Sequence, residues 1–324
     1  ILRKAGWAVE EIVGGCFCCR FDSLSQAVED LTRSTRPDVF VAEPVGSCTD
    51  LLATVSYPLR RIYGDRFRVA PLSVLVDPLR AARVLGLAEG RTFSPKVLYV
   101  YEKQLEEADL ILVNKSDLVE PQQVDELVAE LERRYPRAEV LSCSAKDGTG
   151  LEPWFERILR AETGSLPTLT IDYQTYAEGE ALLGWLNCTV ALEAEAPFDA
   201  NALLLALTNG IGRRLDSQGF EIAHLKATLD ADQDGQLAVV SMVTSEGAPD
   251  VRESLLDRVE GGSLIVNLRA EADPELLIRA TREALAEVLG ACQGLHWKME
   301  HEEHFRPAPP VPVHSVTVGG GEAS

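Results

Sequence analysis

DLILVNKSD, residues 109–117, joins a short apolar run to four polar residues of the kind that build turns, and that junction decides the fold. A run that stays apolar without alternating belongs to a strand covered on both faces, as in a parallel sheet under helices. Polar side chains that emerge from the carboxyl end of such a strand stand where open α/β sheets bind their ligands. Asp117 offers a carboxylate that accepts two hydrogen bonds from guanine, one from the ring N–H and one from the exocyclic amine. Adenine has no such donor pair. Asn114 suits the base ring and the tie to a neighbouring loop, and the aliphatic stem of Lys115 can lie across the base. Further on, AEVLSCSAK (residues 138–146) repeats the pattern. A short apolar strand ends in Ser144-Ala145-Lys146, whose backbone N–H groups suit the guanine oxygen. One such match is weak, because these are ordinary turn residues. Two matches at strand ends, with one helix between them, point to guanine recognition.

GGCFCC (residues 14–19) is a different chemistry. Cys16, Cys18 and Cys19 are too close in sequence for ordinary mutual disulfides, and they suit a tetrahedral zinc or a Cu(I) ion. Gly14 and Gly15 let the backbone turn tightly beside them. The alternative is an inert buried cluster, since free cysteine packs as a small apolar residue. The other cysteines, Cys48, Cys143, Cys188 and Cys292, are scattered. They do not form a disulfide framework, which fits a reducing, cytoplasmic setting. Cys48, close behind Glu43, has two readings: approach to a nucleotide, or packing at a helix start, the preferred one.

These motifs together resemble the CobW/HypB/UreG class of P-loop GTPases, most closely the CobW-like metal chaperones. The resemblance rests on GGCFCC as a Cys-x-Cys-Cys motif, on Glu43-Pro44-Val45-Gly46 as an Glu-x-x-Gly stretch at the Walker B position, and on NKSD and SAK. It covers roughly residues 7 to 160, and GWLN (184–187) resembles the start of the family's second domain. It implies GTP, Mg2+ and Zn2+ (or another transition metal) as ligands. It gives Glu43 the role of orienting a water, and the Gly46 amide that of sensing the γ-phosphate. A client metalloprotein is the implied partner, and a homodimer is compatible with the family. The implied function is a GTP-dependent metallochaperone or metal-insertion GTPase. The alternatives are a non-hydrolysing metal-binding scaffold and a GTPase of cobalamin biosynthesis. One departure stands out: no GxxxxGK[ST] phosphate loop occurs in the 324 residues, which begin at Ile1. The expected reading is an amino-terminally truncated GTPase domain, inactive in hydrolysis as given, with natural loss of the loop as the alternative.

Composition narrows the partners. A hydrophobic fraction of 46% with 25% charged residues is that of an ordinary globular chain. A net charge of −20, from 31 basic and 51 acidic residues, argues against nucleic acid and anionic membranes as partners. No apolar run reaches the roughly 18 residues of a membrane span.

The expected fold class is α/β: a P-loop-type parallel sheet covered by helices, then a smaller α+β ferredoxin-like domain. Expected boundaries are 1–162 for the GTPase domain, 163–172 for a linker, 173–297 for the carboxyl-terminal domain and 298–324 for a Pro-rich tail. Within the first domain, strands are expected at about 38–42, 69–76 and before NKSD and SAK. Asp77 has two readings, facing the site at a strand end or capping a helix before Pro78, the preferred one. In the second domain DADQDG (230–235) imitates a calcium loop but lacks its final carboxylate, and reads as a hairpin turn. His301 and His304 would share a face if helical, giving a candidate metal pair; the preferred reading is a solvated segment.

Overall fold

The computed structural model describes residues 6–12, 15–160, 168–231 and 236–316. The chain divides into two compact units, residues 1–85, 98–177 and 309–324 in one, 86–97 and 178–308 in the other. The expected linker sequence TGSLP (163–167) lies outside the described residues, as do Gly14 and the tip of DADQDG.

The first unit is built on a parallel sheet. Its elements are α1 (Phe21–Ser34), α2 (Tyr57–Tyr63), β1 (Ser73–Val76), α3 (Pro78–Val84), α4 (Pro95–Glu107), β2 (Leu110–Val113), α5 (Pro121–Arg134), β3 (Glu139–Ser142), α6 (Leu151–Arg160) and α7 (Tyr173–Leu182), with α4 and α7 each running into the second unit. The strand order is β1-β2-β3, all parallel. β2 is buried along its whole length, which is why its sequence is apolar without alternation. Ile111 and Val113 pack with Ala81, Leu105, Leu127 and Leu131 on one face, while Leu110 and Leu112 pack with Leu151, Trp154 and Ile158 on the other. At the end of β3 the chain doubles back so tightly that Gly150, at φ +72°, admits no side chain. A Cβ there would sit 2.3 Å from the Ser142 carbonyl oxygen.

Residues 38–42 correct the sequence reading, because DVFVA is irregular and not a strand. Val39 and Val41 are exposed, Val41 at 92%. An apolar run expresses a tendency to be buried, but only a neighbouring backbone ladder makes it a strand. Among the described residues β1 pairs with β2 alone, and its outer edge has no strand beside it.

The second unit is an antiparallel sheet under two helices. It contains β4 (Leu183–Phe198), α8 (Ala200–Ser217), β5 (Ile222–Asp230), β6 (Leu237–Met242), β7 (Asp250–Glu253), β8 (Val259–Glu271), α9 (Pro274–Gly290) and β9 (Leu295–Phe305). The order β7-β6-β5-β8-β4-β9 contains the ferredoxin-like arrangement as β5-β8-β4-β9 with α8 and α9 as its crossovers. β6 and β7 extend that sheet at one edge. One core unites the inward residues of the strands with α8 and α9, including Leu204, Leu207, Ile211, Leu277 and Leu285. Gly262 lies where β8 passes β5 so closely that a Cβ would meet the Asp230 carbonyl oxygen at 2.4 Å.

One sequence reading holds here and one changes. β5 and β6 pair antiparallel with Asp230 opposite Leu237, as a hairpin requires. The histidine-bearing stretch, however, is β9, paired with β4 through Phe305. In a strand, residues three apart point to opposite faces, so His301 and His304 do not form the helical pair considered above. His304 instead meets Glu275 at 3.0 Å. Alternation of Leu295, Trp297 and Met299 carries the period-two signal that the charged residues around them hide.

Candidate functional site

The carboxyl ends of β1, β2 and β3 bring Asp77, the NKSD turn and the SAK turn to one edge of the sheet. Asp77 caps α3 by accepting from the Leu79 and Arg80 amides, as its place before Pro78 suggested. Its other oxygen takes an ion pair from Lys115 at 2.9 Å, with both side chains largely buried. Lys115 adopts the left-handed conformation, φ +63°, uncommon for a residue with a side chain. Asn114 ties the two turns together: its Oδ1 accepts from the Lys115 amide at 2.8 Å and from the Ala145 amide at 3.0 Å. The Ser116 amide donates to the Cys143 carbonyl, a second stitch. Ser144 is buried, whereas Asp117, Ala145 and Lys146 are exposed. The arrangement presents an open carboxylate on a turn whose backbone is fixed from both sides.

The three cysteines form the second centre. The Cys19 and Arg20 amides both donate to the Cys16 carbonyl, folding the loop into a tight turn that leads into α1. Their sulfur atoms lie within 4.8 Å of one another, at 2.8 Å for Cys16–Cys18, 3.2 Å for Cys16–Cys19 and 3.7 Å for Cys18–Cys19. Zinc–sulfur bonds of about 2.3 Å place tetrahedral ligands about 3.8 Å apart. The triangle therefore needs only a small spread to accept a metal of that size. Its protonation is uneven. Donation from the thiols of Cys18 and then Cys48 holds Cys16 far below the ordinary thiol range. Cys18 is pushed up by its hydrogen bond to Cys16 and by burial, and Cys19 is raised first by burial.

Two further segments meet this loop. Cys18, Leu24, Cys48, Leu51 and Val55 form a small buried cluster, with Cys16, Cys19 and Val45 packed against it. The Cys loop and the EPVG loop thus share one core, while Glu43 and Gly46 themselves remain exposed. The extended segment 309–316 also belongs to this unit. Val311 donates its amide to the Cys19 sulfur at 3.2 Å, and Val313 to the Cys18 carbonyl at 2.9 Å. Pro310 and Pro312 have no N–H, so Val311 and Val313 supply the donors to the Cys loop, and Val316 donates its amide to the Ala53 carbonyl at 2.9 Å.

Behind EPVG lies a buried polar group that the sequence did not reveal. Glu107, at the end of α4, accepts from Thr49 Oγ1 at 3.2 Å and from the Leu52 amide at 3.3 Å. Asp50 sits at φ +62° and accepts from the Tyr173 hydroxyl at 2.5 Å. Tyr176 accepts from the Thr49 amide. Burial raises Glu107 to about 8, with the Asp50 charge adding to the effect, and burial also raises Asp50. The chain from Thr49 into the π-helical turn Leu52–Ser56 is therefore held by a carboxyl group that is protonated near neutrality. Only the acidic residue closing α4 hinted at it.

Residues 1–142 match the CobW/HypB/UreG nucleotide-binding domain. Among solved structures, the chain is similar to the Zn(II)-bound YjiA GTPase from E. coli, at 15% identity over 72% of this chain and 68% of that one, with a TM-score of 0.23. A Zn(II)-bound triple mutant of YjiA matches at 13% identity over 71% and 66%, TM-score 0.24. A hydantoinase/carbamoylase family amidase from Burkholderia ambifaria matches at 18% identity over 52% and 42%, TM-score 0.23. At these scores none of the three fixes a fold or a function for this chain. No curated protein matches it. Among the described residues no helix is long and apolar enough to cross a membrane.

The raised Glu107 gives a pH dependence with a definite sign. The folded chain binds this proton more tightly than the unfolded chain, whose carboxyl titrates near the ordinary 4.5. The stabilisation is complete below that pH and is lost as pH rises through about 8, at most about 1.4 kcal/mol for each pH unit across the window. Denaturant unfolding of the first unit, followed between pH 5 and 8, will show a falling midpoint in the wild type and a flatter profile in Glu107→Gln. An equal slope in both would remove Glu107 from this role.

Proposed function

We propose, from the premise that residues 1–142 belong to the CobW/HypB/UreG nucleotide-binding domains, that this protein is a guanine-nucleotide-dependent carrier of a transition metal. The observation that carries the reading is the triangle of three cysteine sulfurs within 4.8 Å at the start of α1, packed into the same small core as the segment behind EPVG. Metal-binding loop and nucleotide-domain motif occupy adjacent places in one unit.

The chain's own groups divide the work. Cys16, Cys18 and Cys19 give up their protons to solvent and bind the cargo metal, zinc being the ion whose size and softness suit three thiolates. The start of α1 adds a favourable dipole for the thiolates. At the sheet edge Asp117 reads the donor edge of guanine, Lys115 covers the base, and Asn114 holds the NKSD and SAK turns in register. Glu43 and Gly46 take the water-orienting and γ-phosphate-sensing roles that the EPVG motif implies. Hydrolysis, with Mg2+, is assigned to a chain that carries a phosphate-binding loop, because nothing among the residues above cradles a triphosphate. A change in the EPVG loop on nucleotide binding moves a neighbour of the Cys loop, and through it the hold on the metal. Such coupling acts only through the nucleotide's differential affinity for the two loop states. Delivery to a client metalloprotein, in the cytoplasm, completes the proposal.

Zinc titration of the reduced protein will give one tight site, with proton release and an affinity that falls at low pH, since the ligands must be deprotonated. Replacing Cys16, Cys18 and Cys19 together by serine abolishes it. Retained stoichiometry in that variant would move the metal elsewhere.

Base selectivity is a separate expectation. Asp117→Asn exchanges an acceptor for an amide donor, so binding of GTP falls and preference shifts toward xanthosine triphosphate, which carries a carbonyl in place of the amine. Competition between the two nucleotides, measured on wild type and variant, checks it. An unchanged ratio would reduce NKSD to a structural turn.

A further inference from the structure

We infer that Cys48 is the fourth, exchangeable ligand of the metal held by Cys16, Cys18 and Cys19, so that the EPVG loop itself supplies one corner of the coordination sphere. The inference rests on the metal-binding reading above and goes beyond it by naming a ligand from a second loop.

Cys48 is 3% exposed and lies in the same buried cluster as Cys18. Cys16 and Cys19 pack against that same cluster, so Cys48 adjoins the triangle from a second loop, yet it falls outside the group of sulfurs that are mutually within 4.8 Å. Any small apolar side chain would fill this space, whereas a cysteine brings a fourth thiol to the cluster against which Cys16, Cys18 and Cys19 are gathered. Three protein ligands leave an open tetrahedral position, whereas four close it. Closure by Cys48 requires its proton to pass to solvent as the sulfur–metal bond forms, with no change in oxidation state.

The backbone around Cys48 explains why this ligand responds to the loop. Its amide donates to the Val45 carbonyl at 2.8 Å, and Gln104 donates to the carbonyls of both Gly46 and Cys48, at 3.0 and 2.8 Å. Gly46 and Cys48 are thereby held as one short rigid turn. A displacement of Gly46 carries Cys48 with it and opens the fourth position, leaving the cargo on three thiolates and accessible to an incoming ligand.

Cobalt(II) binding to the full chain reads the number of thiolates directly, through the intensity of the sulfur-to-metal charge-transfer band and the tetrahedral d–d bands. The wild type is expected to give a four-sulfur spectrum. Cys48→Ser and Cys48→Ala retain one bound metal with about a quarter less charge-transfer intensity. Their zinc affinity falls by at least the roughly 10- to 100-fold that loss of even an outer-shell partner brings. X-ray absorption on the zinc-loaded wild type gives the same count without any variant: four sulfurs support the inference, and three sulfurs with one oxygen or nitrogen overturn it. A wild-type-like spectrum in both Cys48 variants also overturns it, while leaving the three-cysteine site standing. Failure of the wild type itself to bind cobalt or zinc overturns the metal-carrier reading and Cys48 with it.

Discussion

Three sulfur atoms within 4.8 Å of one another, partly withdrawn from water, impose the constraint on which the rest of this unit turns. Brought this close, they cannot all be ionised without a cation, because each new thiolate faces the charge of the last in a medium that screens it poorly. They also follow one another too closely in sequence to resolve the crowding as ordinary disulfides. The backbone fixes the crowding: the Cys16 carbonyl accepts two successive amides, and the turn ends where α1 begins. A divalent soft metal is the kind of ion that such a triangle of thiolates suits.

The same turn is anchored by neighbours whose own chemistry matters. Cys18 packs with Leu24, Leu51 and Val55, and the amides of Val311 and Val313 reach the loop from its other side. Behind EPVG, Glu107 is a buried acid that holds Thr49 and Leu52 only by being withdrawn from water itself. A carboxyl group in this setting is expensive to keep, and Asp50 beside it adopts a left-handed backbone with a side chain bonded to Tyr173. Strain and buried polarity accumulate where the loop must be positioned rather than merely folded.

Much of this was legible in the residues. β2 announced itself because full burial on two faces leaves an unbroken apolar run, and NKSD and SAK fell at strand ends because Val113 and Ser142 are where β2 and β3 stop. Asp77 read correctly as a cap because Pro at the first helical position leaves little else for it to do. The failures have equally specific causes. DVFVA at 38–42 carries a strand's composition without a strand's neighbours. β9 was missed because charged residues on its exposed face outweigh the alternation of Leu295, Trp297 and Met299. Glu107 and the tail segment at 311–316 owe their roles to contacts across long sequence separations, which no local pattern records. Cys48 was read as a packing residue, and it is one. Its contact with Cys16 is visible only once the two loops are brought together.

The shared core of Cys18, Cys48, Leu51 and Val55 makes the Cys loop and the segment behind EPVG one body, so that what binds one is felt by the other. Hydrogen exchange on the reduced full chain, with and without one equivalent of zinc, tests this most directly. Zinc is expected to slow exchange at Cys16–Cys19 and also across residues 45–56, through that shared core. Protection confined to residues 16–24, with 45–56 exchanging at the same rate in both samples, would contradict it.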